Sequence, residues 1–350
     1  MTLSLAAIIS EISFAQNVHF KVTAGPFKGG SNTVYQIQSD DGKQWCLRIP
    51  LNDFAAGVAA RGVAILKILK EMRPTLAAPA VIYMSDRYMV MEYFNGEALG
   101  SWNTRSLTRE QRRVLLDDVA TFLFSLWTLD VQLPDGLGCK ITYRDYLRKE
   151  VDRGLLRTLK GTATWGDPIH YLYRRMEIDG LVPSRDDGAT AIKHGDLNAW
   201  NVIDCFSPLV LINDSVVDWD NSRLAPLPSA IQHPLFIADI PGWRNDGVSE
   251  GMTFEEDREY LENAVGKLDA SSQNPGRIAH LLRTSFERQF LEMSLHNRRI
   301  NDEYIQQRFD NTKFDRDAAL QQLEDFLSNN ESMQDFPGVL DVRRRLTRES

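Results

Sequence analysis

Cysteine is scarce. The 350 residues contain three, Cys46, Cys139 and Cys205, far apart and with no C-x-x-C pair. That argues against a disulfide framework and a thiolate zinc site, and fits buried free thiols in a reducing compartment. The six histidines show no metal spacing, and no G-x-S-x-G supports Ser/His/Asp hydrolysis. An excess of positive charge is also missing. The formal net charge is −8, which makes the chain as a whole a poor polyanion binder and predicts no nucleic-acid partner. The one dense basic cluster, Arg343-Arg344-Arg345 with Arg348, is expected to be a solvated or frayed tail. No run approaches the ~18 apolar residues of a membrane helix. Leu3 to Ile9 is apolar, but the first lysine or arginine is Lys21, so the charge that precedes the core of a secretory signal is absent. A cytoplasmic protein without membrane contact is the expectation.

What is present is ordinary in bulk and specific in one place. Apolar residues make up 43% and charged residues 25%, as in a soluble globular protein with a sizeable core. The specific stretch is His194-Gly195-Asp196-Leu197-Asn198-Ala199-Trp200-Asn201, followed by Val216-Val217-Asp218-Trp219-Asp220. Phosphoryl transfer needs a carboxylate near the attacking hydroxyl and oxygen ligands that hold magnesium against nucleotide phosphates. Asp196, Asn201 and Asp218 are those residue types, in the order of a kinase catalytic loop and the metal-binding aspartate after it. The plainer alternative makes Asp196 and Asn201 a capped surface turn and lets Asp218 merely end a strand. His194 reads as structural. Asp220 reads as a helper for metal or substrate, or equally as a surface or N-cap acid.

Upstream, Leu5, Ile8, Ile9 and Ile12 have helical spacing within residues 1–24. Residues 25–32 hold Gly25, Gly29 and Gly30 and are expected to be a loop before a hairpin, whose strands are 33–38 and 45–49. A helix follows over 55–72, then strands over 79–84 and 88–93, with Phe94-Asn95-Gly96 closing the last. Beyond Gly96 the character turns helical. Thr108-Arg109-Glu110-Gln111 is a capping-box pattern, and Thr253-Phe254-Glu255-Glu256 another. Helices are expected over 143–159 and from the Asp167-Pro168 start to Met176. Short strands at 201–204 and 209–212 flank a Ser207-Pro208 turn, and residues 224–243 read as irregular loop.

HGDLNAWN followed by VVDWD resembles the aminoglycoside phosphotransferase (choline kinase-like) family, whose loop reads H-G-D and whose later motif reads I-D-W-[DE]. The resemblance extends from about Gly25 to about Trp243. It implies an α+β, two-lobed protein kinase-like fold: a small antiparallel β-sheet lobe plus a larger, mainly helical lobe. Residues 1–95 would be the nucleotide-covering lobe, and residues 96–350 would carry the catalytic and metal-binding loops. Asp196 would be the catalytic residue, and Asn201 and Asp218 the Mg2+ ligands. Gly29, Gly30, Ser31, Asn32 and Arg48 would meet the nucleotide phosphates. Backbone around Met91, Glu92 and Tyr93 would pair with the base of ATP, with GTP equally compatible. The partner would be a small-molecule hydroxyl acceptor.

Two departures stand out. Arg48 occupies the position of a phosphate-touching lysine, and the two side chains are not equivalent. Gly62 occupies the helix position of a glutamate that would pair with that lysine. The implied function is an ATP-dependent, small-molecule phosphotransferase. The alternative is a catalytically weak or inactive kinase-like, nucleotide-binding or regulatory protein.

Overall fold

The computed structural model describes residues 4–100, 102, 107–131, 141–204, 215–243, 253–310 and 313–347. The chain opens with helix α1 (Leu5–Gln16), capped by the Ser4 side chain, which accepts from the Ala7 N–H. It buries Ile8 and Ile12, one helical turn apart. Strands β1 (Phe20–Lys28), β2 (Asn32–Ser39) and β3 (Gln44–Pro50) follow as an antiparallel meander. Helix α2 (Asp53–Met72) starts at the Asn52 cap and buries Ala55, Ala59, Gly62, Val63, Leu66 and Leu69, a stripe at i, i+3, i+4 spacing. Strands β4 (Val81–Met84) and β5 (Met89–Glu92) complete a five-stranded sheet in the order β1-β2-β3-β5-β4. All four neighbouring pairs are antiparallel.

After this sheet come the short strand β6 (Glu97–Ala98) and the long helix α3 (Arg109–Trp127). The expected capping box at α3 is formed in full: Thr108 Oγ1 accepts from Gln111 N–H, and Gln111 Oε1 accepts from Thr108 N–H. Helices α4 (Tyr143–Leu159) and α5 (Pro168–Leu181) follow, the latter capped by Asp167 with proline in its first turn. Then come β7 (Thr190–Lys193), β8 (Val202–Asp204), β9 (Ser215–Val216) and β10 (Arg223–Pro226). The chain continues through α6 (Leu227–Ala230), α7 (Glu255–Asp269), α8 (Arg277–Arg283), α9 (Phe286–Ser294), α10 (Arg298–Tyr304), α11 (Arg316–Ser328) and α12 (Pro337–Thr347). None of the described helices is long and apolar enough to cross a membrane.

Four sequence expectations change. The stretch 25–32 is not a loop ahead of the hairpin: β1 runs to Lys28, and only Gly29 to Ser31 turn between β1 and β2. The β1–β2 register shifts twice around Ala24, and Gly25 there has φ +110 with Val34 O close to where a Cβ would stand. Its glycine therefore marks a strand irregularity rather than a loop. Residues 224–243 contain β10 and α6 before becoming irregular. Thr253 does not cap α7; the Asp239 carboxylate accepts from the Phe254 N–H at 2.7 Å instead. Arg343 to Arg345 lie in α12, where Arg343 binds both oxygens of Glu324 at 2.9 Å and Arg345 binds Asp167 at 2.9 Å. The expected strand 209–212 and the Ser207-Pro208 turn lie outside the described residues.

Contacts divide the chain into two compact units. One contains residues 1–138 and 192–224, the other 139–191 and 225–350. In the first, Ile8, Ile12, Phe20, Ile37, Leu47, Tyr88 and Val90 form a core between α1 and the sheet. In the second, Tyr143, Leu147, Val151 and Leu155 of α4 pack with Leu172 of α5 and with Phe290, Leu323, Phe326 and Val342 from later helices. The residues of HGDLNAWN and VVDWD all fall in the first unit, because the segment 192–224 is grouped with the sheet. Strand β8 pairs with β6, just past the end of β5, with Glu97 opposite Asp204 and Ala98 opposite Ile203.

Candidate active site

The loop after β7 is fixed by its own side chains. Asn201 Nδ2 donates to the Asp196 carbonyl at 2.8 Å and lies 3.3 Å from Asp196 Oδ2. Asn198 Nδ2 donates to Asp196 Oδ1 at 2.8 Å, and Asn198 Oδ1 caps the short 3-10 turn Ala199–Asn201. Both oxygens of the Asp196 carboxylate thus face amide donors from its own loop. Gly195 has φ +85, and a Cβ there would run into the Asn221 carbonyl. Only glycine meets both conditions without strain, which explains H-G-D.

His194 joins this loop to the second motif. Its Nε2 lies 2.9 Å from the Val217 carbonyl, so Nε2 carries the hydrogen, and Nδ1 accepts from the Asp196 N–H at 3.3 Å. The ring packs edge-on to Trp219 with centroids 4.8 Å apart. Burial pushes its pKa below the ordinary value of 6.5, against the opposing pull of the Val217 carbonyl and the nearby carboxylates of Asp196, Asp218 and Asp220. His194 is a neutral tether, as its structural reading required.

The hairpin β8–β9 supplies the other link. Val202 pairs with Val216, and Ile203 with Ser215. One step beyond, the Asn201 carbonyl accepts from the Val217 N–H at 2.9 Å. Val217 is therefore held by Asn201 through its N–H and by His194 through its carbonyl, immediately before Asp218. Asp218 itself adopts the left-handed region (φ 59, ψ 64), which aspartate tolerates better than most residues.

Between the two acids of V-V-D-W-D, Trp219 turns inward. It is 1% exposed, donates from Nε1 to the Val216 carbonyl at 2.8 Å, and meets Phe122 of α3 edge-on. Helix α2 crosses this turn at Gly62. A Cβ at Gly62 would stand 2.6 Å from the Trp219 carbonyl oxygen and 3.2 Å from Asp220 Cα. A side chain here would run into backbone, so a glutamate at this position has no room.

Arg48 finds its acid elsewhere. Its Nη2 donates to Asp220 Oδ2 at 2.8 Å and to Asp218 Oδ1 at 3.1 Å. The Arg48 and Asp220 side chains are each 10% exposed, and that of Asp218 is 41% exposed. Asn32 Nδ2 also donates to Asp220 Oδ2, at 3.1 Å, while Asn32 Oδ1 is buried without a partner. An orphaned buried acceptor costs about 1–3 kcal/mol, so the amide is held this way by what Asp220 demands. Asp220 is neither a surface acid nor a helix cap. The signal for its role was the pairing of a strand arginine with an acid-free helix middle.

The remaining expected residues lie at the sheet. Gly29 N–H donates to the Asn32 carbonyl at 2.9 Å, closing the β1–β2 turn, and Leu51 N–H donates to the Ser31 carbonyl at 2.9 Å. Gly30 has open space where a Cβ would be. Asn32 differs from its three neighbours, because its side chain is turned to Asp220. Met91 and Glu92 end β5, opposite Cys46 and Trp45. Glu92 is tied to Ala80 by backbone, and its Oε2 accepts from the Ala80 N–H at 3.2 Å. Tyr93 is the first residue past the ladder. Cys46, two residues before Arg48, is half-buried, and desolvation pushes its thiol up to about 11, which disfavours the reactive thiolate.

The donor set suits magnesium. Mg2+ is commonly bound by one or two carboxylates plus substrate phosphates, rather than by an all-protein cage. Among the described residues no group of three or more His, Cys, Asp or Glu forms a metal cluster. Asp218 is half-exposed, and Asn201 is oriented by its Nδ2 donating to the Asp196 carbonyl, so Oδ1 would be the atom it offers a cation. The competing cation is Arg48.

The model of a family described as phosphotransferase enzyme family matches residues 24–227. No curated protein sequence matches the chain significantly. Among solved structures, aminoglycoside phosphotransferase APH(2'')-Ib with ADP bound is similar, at 16% identity and a TM-score of 0.58, covering 94% of this chain and 99% of that one. The gentamicin complex of APH(2'')-IIa is similar at 14% identity and a TM-score of 0.57, covering 100% and 98%. Choline kinase from Cryptosporidium parvum Iowa II is similar at 15% identity and a TM-score of 0.51, covering 98% and 100%. These likenesses establish a protein kinase-like fold.

Proposed function

The chain belongs to the phosphotransferase enzyme family, and we propose that it moves the γ-phosphoryl group of ATP to a hydroxyl of a small molecule, with Mg2+. The observation that supports this most is the clamp on Val217. It ties the loop of Asp196 and Asn201 to Asp218 through two hydrogen bonds of 2.9 Å, across a sequence gap that contains a whole hairpin. A merely capped surface turn has no need of such a link.

In this mechanism Asp196 orients the acceptor hydroxyl and takes its proton late in the transfer. The Asn198 and Asn201 amides fix the carboxylate. Arg48 binds the transferred or neighbouring phosphates, and the Gly29-Gly30-Ser31 turn offers backbone N–H groups to them. Asn201 and Asp218 would hold the metal, which when bound would supply positive charge against the phosphoryl oxygens. Residues 1–95 form the nucleotide-covering lobe and residues 96–350 the lobe of the catalytic and metal-binding loops. The base pairs with backbone from Met91 to Tyr93, and guanine fits that contact as adenine does. Similar solved structures include APH(2'')-Ib with ADP bound, a ternary complex of APH(2'')-IIa with ATP and streptomycin, and a relative of these with GDP and kanamycin.

One observation favours a second reading, a nucleotide-binding member without turnover: Arg48 contacts Asp218, the residue assigned to the metal. Thermal unfolding with ATP, with and without Mg2+, tests the shared part of both readings. Stabilisation that grows with Mg2+ is expected, since a ligand at about 100 times its Kd adds about 2.7 kcal/mol. No shift at millimolar nucleotide, with or without metal, contradicts both. A shift without phosphate transfer to any of a broad panel of alcohols and amino sugars selects the second.

A further inference from the structure

Arg48 must be held in one place if it is to meet phosphate, and helix α2 does not hold it. Gly62 stands at the crossing of α2 with the Trp219 turn, and the helix acids Asp53 and Glu71 lie near its two ends. Three observations single out Asp220 as the holder. Its side chain is as buried as that of Arg48, at 10% each, whereas Asp218 is 41% exposed. It makes the shorter of the two contacts, 2.8 Å against 3.1 Å. The same oxygen is gripped from the other side by Asn32, whose side-chain Oδ1 is left buried and unpartnered in that orientation.

We propose that Asp220 is the positioning residue for Arg48, in place of a helix carboxylate that Gly62 rules out. The two acids of V-V-D-W-D then divide their work. Asp220 holds the phosphate-binding guanidinium, and Asp218 is left for the cation. Both acids contact the same nitrogen, Nη2. A cation at Asp218 competes only with the longer contact and leaves the shorter one in place. The inference rests on the phosphotransfer reading, and it removes the objection that Arg48 lacks an anchor.

The test is ADP affinity by calorimetry on the full chain, first in EDTA and then across a Mg2+ titration. Asp220→Asn is expected to weaken metal-free ADP binding at least tenfold. Charge alone predicts the opposite sign, because deleting an anion beside a bound polyphosphate strengthens binding. Arg48→Met in the Asp220→Asn background should then add less than threefold. Asp218→Asn should leave metal-free affinity within threefold of wild type, or tighten it, while raising the Mg2+ needed for tight binding. Asn32→Ala keeps both charges and serves if Asp220→Asn does not fold; it should weaken metal-free binding at least threefold. Metal-free affinity unchanged or improved in both Asp220→Asn and Asn32→Ala, with the Mg2+ requirement raised as in Asp218→Asn, would make Asp220 a metal ligand and overturn the inference. Wild-type protein that binds no ADP under any condition contradicts the phosphotransfer reading itself, and the inference with it.

Discussion

Gly62 and Trp219 meet backbone to backbone: a Cβ on Gly62 would lie 2.6 Å from the Trp219 carbonyl oxygen. That contact lets α2 rest directly on the turn between the two motif acids. It also accounts for a departure that, in the sequence, looked like the loss of a catalytic part. The helix gave up a side chain there and gained a close crossing. Arg48 is served from the turn instead of from the helix.

Gly62→Ala is expected to destabilise the protein. Helix propensity alone favours alanine by about 0.5–1 kcal/mol. Forcing a methyl against backbone atoms that cannot rotate away costs typically about 1–3 kcal/mol, so the clash wins. Urea unfolding should show a lower midpoint, and Gly62→Glu a lower one still. A higher midpoint for Gly62→Ala would mean that α2 does not sit on the turn.

Asn201→Ala removes the amide that binds the Asp196 carbonyl at 2.8 Å and faces its carboxylate at 3.3 Å. A misplacement of about 1 Å at a reacting group can cost roughly 100-fold in rate. Turnover should fall by at least that much, while stability falls by only about 1–2 kcal/mol. Comparing kcat with the unfolding midpoint separates the two effects. Proportionate losses in both would assign Asn201 to the fold alone.

His194 is buried and neutral, with its pKa depressed below 6.5. The unfolded chain therefore binds a proton more readily than the folded one. Stability contributed by neutral His194 is fully present above about pH 6.5 and is lost as pH falls through its lower folded-state pKa. His170 is also depressed by burial and adds in the same direction. His194→Gln keeps a donor for the Val217 carbonyl and removes the titration. Its stability should fall less steeply between pH 6.5 and pH 5 than that of wild type. Identical acid limbs would show that His194 does not titrate in this range.

Much of the framework was legible because it is written locally. The capping box at Thr108, the Asp167-Pro168 helix start and the helix over 55–72 are short-range patterns, and all three formed as expected. The protein kinase-like fold followed from two motifs in order. What stayed hidden was long-range or depended on irregular geometry. β1 was hidden because Gly25 and Pro26 are loop signals in a sequence, while in the sheet they occupy a register shift. Asp220 was hidden because its partner Arg48 is 172 positions away. Trp219 read as one letter of a motif, and its burial against His194, Phe122 and Gly62 emerges only once three separate segments are folded together.

The central claim is that Asp196 carries the transfer chemistry, and it is tested most directly by following the γ-phosphate of labelled ATP with the wild-type chain and with Asp196→Asn. Asparagine keeps the size of the side chain and removes the carboxylate. The account predicts Mg2+-dependent ATP consumption by wild type, slow if water is the only acceptor. In the variant it predicts a loss of at least 1,000-fold in kcat, roughly within the range that general-base catalysis contributes, with ADP affinity within about threefold of wild type. Equal rates in the two proteins would contradict it.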